Sequence, residues 1–145
     1  ICDAVRSFGS GFIFTTALPP ALAHGALASV QYLQSSGAER ARQQTQANRL
    51  KQKLRDAGLP LLEGDTHIVP VMVNNADICS QICQILLNER HIYVQPINYP
   101  TVPKGTERLR LTPGPFHTDA MIDDLVDALQ MAFERVAAET TQQTG

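Results

Sequence analysis

The stretch from residue 92 to 113, IYVQPINYPTVPKGTERLRLTP, restricts the fold more than any other part of the chain. Pro96, Pro100 and Pro103 pin a loop carrying Asn98, Tyr99 and Thr101, because each proline fixes its own φ and removes a donor. Directly after it, Arg108-Leu109-Arg110-Leu111-Thr112 alternates with period two. Such a run is a strand with one buried face, and its leucines need an apolar layer to cover them. The same period puts Arg108 and Arg110 on one face. Two adjacent cations invite an anion, and a guanidinium fork suits a carboxylate bidentately. The alternative is that both arginines pair with structural carboxylates such as Glu107 or Asp123. The spacing leaves the two readings open.

The remaining segments can supply the covering layer. Residues 1–17 are punctuated by Gly9 and Gly11 and read as loop, with Phe12-Ile13-Phe14 as a brief extended piece. Pro19 and Pro20 suit the first turn of a helix that runs from Ala21 to about Ser35. It carries almost no charge and is expected to be well buried. Residues 39–57 mix Arg, Lys and Gln with sparse apolar positions at Ala47, Leu50 and Leu54. They read as a solvated surface helix, with Lys51 and Lys53 on it, ended by Gly58 and Pro60. Residues 67–73 are β-branched and read as a strand, in which Pro70 argues for an edge or a break in the ladder. Asn74-Asn75-Ala76-Asp77 then caps a helix over 78–89 with the stripe Ile78, Ile82, Ile85 and Leu86. Residues 92–94 read as a short strand and 95–105 as loop. His117-Thr118-Asp119 opens a last helix, and residues 140–145 read as a polar, frayed tail. The order α-α-β-α-β-β-α predicts an α/β (α+β) fold with a small, mainly antiparallel sheet covered on one face by helices.

Composition removes several function classes. The chain has 145 residues, enough for one core, and a formal charge of −2, which excludes a strongly basic nucleic-acid binder. No apolar run approaches the length of a membrane span. Three cysteines make no disulfide framework and fit a reducing compartment. Cys79 and Cys83 lie four apart on one helix, a spacing open to a metal pair, but small buried residues are the commoner fate. His24, His67, His91 and His117 are scattered outside any recognisable triad or metal pattern, so no metal site is expected.

Tyr93-Val94-Gln95-Pro96-Ile97-Asn98-Tyr99-Pro100-Thr101-Val102-Pro103 and Gly105-Thr106-Glu107-Arg108-Leu109-Arg110-Leu111-Thr112-Pro113 closely resemble the 5-aminolevulinate synthases. So do Arg6-Ser7, Gly11 to Pro20, and His117-Thr118-Asp119, and the likeness runs along the whole chain. It covers only the C-terminal third of that family. The resemblance implies the C-terminal domain of a fold-type-I homodimer that condenses glycine with succinyl-CoA on pyridoxal phosphate (PLP), in tetrapyrrole synthesis. It implies a segment 1–20 at the interface and cofactor phosphate, linking helices over 21–58, a C-terminal α/β domain over 59–138 and a tail over 139–145. By the same resemblance Arg110 anchors the glycine carboxylate, Thr101 contacts the succinyl-CoA near its acyl group with Asn98 in the same substrate-binding loop, and Thr15 or Thr16 reaches the cofactor phosphate from the neighbouring subunit. No nucleic-acid or membrane partner is implied. The compartment expected from the resemblance is the bacterial cytoplasm, with the mitochondrial matrix as the alternative.

The family's catalytic lysine, in a Gly-rich segment upstream, has no match among Lys51, Lys53 and Lys104. With Ile1 first and no methionine before Met72, the chain reads as a piece of a longer polypeptide, inert by itself. Two rivals stand beside this reading. One is a sister CoA-dependent condensation forming 8-amino-7-oxononanoate or 2-amino-3-oxobutyrate. The other is a non-catalytic interaction domain.

Overall fold

A computed structural model of the chain describes residues 1–13 and 18–143. It falls into two compact units, Ile1–Gly37 and Ala38–Gly145.

In the first unit, helices α1 (Cys2–Phe8) and α2 (Ser10–Ile13) stand where loop and, at Phe12-Ile13, an extended piece were expected; the rest of that expectation, residues 14–17, lies outside the described residues. Gly9 sits between them in an extended conformation, so it interrupts the helix without preventing it. Asp3 and Arg6 also meet at i,i+3, a weak support for the first turn. Helix α3 (Pro20–Ser35) follows, with Pro20 in its first turn as expected. The expected burial is absent: α3 buries none of its residues, and Leu22, Leu27, Val30 and Leu33 are exposed. Apolar residues favour burial, but burial also needs a second apolar surface to pack against.

The second unit holds the core. Helix α4 spans Ala38–Asp56, and its few apolar positions suffice, because Ala47, Leu50 and Leu54 fall on one side and are fully buried. Lys51 departs from the solvated reading. It is 5% exposed, and its ammonium donates to the carbonyls of Gly64 and Thr66 at 2.6 and 2.7 Å. Burial is tolerated because that charge is hydrogen-bonded to the loop it covers. Gly58 ends the helix at φ +67, the left-handed conformation that favours glycine, and Leu59 N–H closes back on the Leu54 carbonyl at 3.0 Å.

The sheet has three antiparallel strands: β1 (Val69–Met72), β2 (Gln95–Ile97) and β3 (Arg108–Leu111), in the order β1-β3-β2. The expected fold class is the one observed. Both strand prolines lie on edges. The Pro70 carbonyl accepts from Leu62 N–H on the outer side of β1, so its missing N–H also faces outward and costs the ladder nothing. Strand β2 falls at 95–97 rather than at 92–94. The register explains the shift: Gln95, Pro96 and Ile97 oppose Arg110, Leu109 and Arg108, and Pro96 needs no donor at an edge.

Val69, Val71, Leu109 and Leu111 point to the face covered by helices. That layer is completed by α5 (Ala76–Arg90) and α6 (Asp119–Gln143), with α4 and α5 both packed on α6. Helix α6 continues through Gln143, where a frayed tail was expected. Asn75 caps α5: its Oδ1 accepts from Asp77 N–H at 2.9 Å and Ile78 N–H at 3.1 Å. Replacing Asn75 with alanine is expected to lower stability by about 1 kcal/mol, because two end donors lose their acceptor. A urea midpoint equal to wild type would remove the cap from the account.

Candidate functional site

Arg110 occupies the centre of the sheet. The burial pattern of β3 leaves Arg108 and Arg110 on the uncovered face and sends Leu109 and Leu111 into the core. The two arginines then differ. Arg108 Nε donates to the Thr106 carbonyl at 2.9 Å. Arg110 is exposed and has no hydrogen-bond or ion-pair partner among the described residues. Pairing with structural carboxylates is not what the structure shows. Asp123 is taken by Arg49 and Lys53, at 3.1 and 3.0 Å. The Glu107 carboxylate is buried and accepts from Gly105 N–H at 3.0 Å.

Arg110 lines a cavity of about 600 Å³ formed by residues 90–95, the end of β3 and the head of α6. Tyr93, Gln95 and His117 line it too. His117 Nδ1 accepts from Gly114 N–H at 2.7 Å, so in the neutral ring Nε2 carries the proton and is a donor. Asp124, also in the lining, is paired with Arg90. Arg110 therefore brings a positive charge that no described carboxylate compensates, and His117 Nε2 adds a donor beside it. Such a set takes an anion, and its planar fork suits a carboxylate.

Asn98 and Thr101 come together elsewhere. Thr101 N–H donates to the Asn98 carbonyl at 2.9 Å, closing a turn that contains the cis Tyr99–Pro100 bond. Asn98 Oδ1 is buried and has no hydrogen-bond partner. Neither residue lines the Arg110 cavity. Thr15 and Thr16 lie outside the described residues. Tyr93, Gln95 and the donor role of His117 were missed from sequence. The signal was Pro96, which marks an edge strand and so sets the register that brings Gln95 opposite Arg110.

The lysines are otherwise engaged. Lys51 holds two carbonyls, Lys53 pairs with Asp123, and the Lys104 ammonium lies 5.3 Å from the centre of the Tyr99 ring. Cys79 is fully buried, and burial pushes its thiol up. The Cys83 thiol is pushed up to about 12, again mainly by burial. Both stay protonated and weakly nucleophilic near neutral pH. No helix among the described residues is long and apolar enough to cross a membrane.

The aminotransferase class I and II family model matches residues 1–129. A 5-aminolevulinate synthase of Rhizobium meliloti is 56% identical over 137 residues, covering 94% of this chain and 34% of that protein. Another, from Bradyrhizobium diazoefficiens, is 51% identical over 144 residues, covering 99% and 35%. The chain thus spans about a third of the length of these curated relatives. Among solved structures, a lysine-to-alanine variant of a serine palmitoyltransferase from S. paucimobilis, with a bound PLP–myriocin aldimine, superposes at a TM-score of 0.84 with 31% identity, covering 94% of this chain and 34% of that one.

Proposed function

The chain belongs to the aminotransferase class I and II family, and from that membership we propose that it forms the C-terminal part of a 5-aminolevulinate synthase. The full-length protein condenses glycine with succinyl-CoA, releasing CoA and carbon dioxide, and works as a homodimer in the cytoplasm. The observation that carries the reading is Arg110, a guanidinium on the central strand with no partner among the described residues, lining a cavity it shares with Gln95 and His117. The 5-aminolevulinate synthases that match the chain at 51–56% identity support it.

The cofactor is PLP, which draws electrons from the Cα of a bound amino acid. The donor set here fits the carboxylate of that amino acid. None of Lys51, Lys53 and Lys104 lines the Arg110 cavity, and this part of the protein contributes binding and orientation. Arg110 grips the glycine carboxylate through both fork nitrogens and so fixes how the Cα substituents lie, which decides which bond breaks. Thr101, an exposed residue, offers its hydroxyl to the acyl-CoA, and Asn98 holds the same turn through its carbonyl, which accepts from Thr101 N–H. Thr15 or Thr16 meets the cofactor phosphate.

The test is an assay of the full-length protein with glycine and either succinyl-CoA or acetyl-CoA. Aminolevulinate formed with succinyl-CoA is expected, and the 145-residue chain alone should form none. Turnover only with another acyl-CoA would keep the fold and move the function to a sister enzyme. Turnover by the isolated chain would overturn the division of roles proposed here.

A further inference from the structure

Gln95 faces Arg110 directly across the β2–β3 ladder. A direct cross-strand pair brings side chains on one face within contact of each other. Both residues line the same cavity. On the other flank of Arg110 the register puts Pro70, which has no polar side-chain atom. Among the described residues, Gln95 is therefore the hydrogen-bonding side chain that the flanking strands set directly beside this guanidinium.

The Gln95 carboxamide is also oriented. The Tyr93 hydroxyl donates to its Oε1 at 2.8 Å, and its Nε2 donates to the Pro96 carbonyl at 3.2 Å. A carboxamide nitrogen carries two N–H groups, so one remains for a ligand. The Tyr93 bond fixes which way the carboxamide lies, and although Oε1 keeps a second lone pair, the free Nε2 N–H is the group that can meet an anion. A carboxylate has about four lone-pair sites, and a bidentate arginine uses two of them. A neutral donor at the side can take a third without competing for the arginine.

We propose that Gln95, oriented by Tyr93, is a second recognition residue for the carboxylate of the amino-acid substrate. The inference rests on the reading of Arg110 as that carboxylate's anchor. It assigns Gln95 a contact with the substrate and Tyr93 a positioning role, acting only through the Gln95 carboxamide. A glutamate at 95 would face Arg110 as a counter-ion and repel the substrate.

The experiment is steady-state kinetics on the full-length protein with four variants: Gln95→Met, Gln95→Glu, Tyr93→Phe and Arg110→Ala. Gln95→Met keeps the length and removes the N–H, so the glycine KM is expected to rise about tenfold, as for a hydrogen bond to a charged group. Gln95→Glu should raise it further. Tyr93→Phe removes one hydroxyl from an exposed ring, does not threaten folding, and should raise it about threefold by loosening the carboxamide. The KM for succinyl-CoA should stay within about twofold throughout, a split that a general loss of structure would not give. A glycine KM unchanged in both Gln95 variants, with Arg110→Ala raising it, would overturn the inference and leave the anchor standing. An unchanged KM in Arg110→Ala would overturn the anchor and the inference together. A parallel rise in the succinyl-CoA KM would also count against Gln95, and an unchanged Tyr93→Phe would remove the positioning step.

Discussion

Replacing Arg110 with alanine in the full-length protein is expected to raise the glycine KM and lower kcat, while leaving stability nearly unchanged. Removing one partner of a hydrogen-bonded charge pair at a binding site costs about 2–5 kcal/mol, which is roughly 30- to 5,000-fold in kcat/KM for glycine. The expectation follows from what Arg110 lacks. It has no carboxylate, carbonyl or ring partner among the described residues, and its strand neighbours are Pro70 and Gln95. Nothing in the fold depends on its charge, so the stability change should stay within about 0.5 kcal/mol, as for exposed sites without such partners. Arg110→Lys should also perform poorly, since a point charge cannot fix a planar carboxylate in two places. The measurements are glycine and succinyl-CoA kinetics beside a thermal unfolding curve. An Arg110→Ala protein with wild-type glycine KM would take Arg110 out of the substrate site.

Legibility in the sequence followed the range of the interactions. The cap at Asn75, the left-handed end at Gly58 and the alternation from Arg108 to Leu111 depend on neighbours within a few residues, and each is found where it was read. Strand β2 is set by pairing with a strand thirteen residues away, so its β-branched flank at 92–94 misled and the register moved it to 95–97. Lys51 shows the same limit. Its helix is rich in charge, and only the approach of the Gly64 and Thr66 carbonyls makes its burial affordable. The exposure of α3 was hidden for the opposite reason: the chain has the apolar residues, but an apolar surface to cover them is a property of the packing.

The candidate site divides along the same line. Arg110 follows from period two and a preference for anions, and Asn98 and Thr101 share a turn because the prolines bracket them. The resemblance gave the three residues their roles, and the structure adds where they stand: Arg110 in a cavity, the other two in a turn outside it. Tyr93 and Gln95 are ordinary polar residues with no local pattern. Only the ladder brings the carboxamide to the arginine.

The largest loss of stability is expected one residue before the proposed anchor. Leu109 lies in the middle of the central strand, fully buried, opposite Val71 on β1 and Pro96 on β2. Its side chain belongs to the face that carries Val69, Val71 and Leu111 against the helical layer. Cutting it to alanine removes three carbons from a core closed by two strands and three helices, where little can move in to refill the space. Such a change costs about 2–5 kcal/mol, a large share of the 5–15 kcal/mol or so that separates a typical domain from its unfolded state. Leu109→Met keeps the volume and should cost less than about 1.5 kcal/mol. The contrast with Arg110→Ala is the sharper test, because the two positions share a strand and differ only in face. Urea midpoints for the three variants measure it. A Leu109→Ala midpoint near that of Arg110→Ala would mean that the alternation from 108 to 111 does not separate core from site, and the assignment of faces would fall with it.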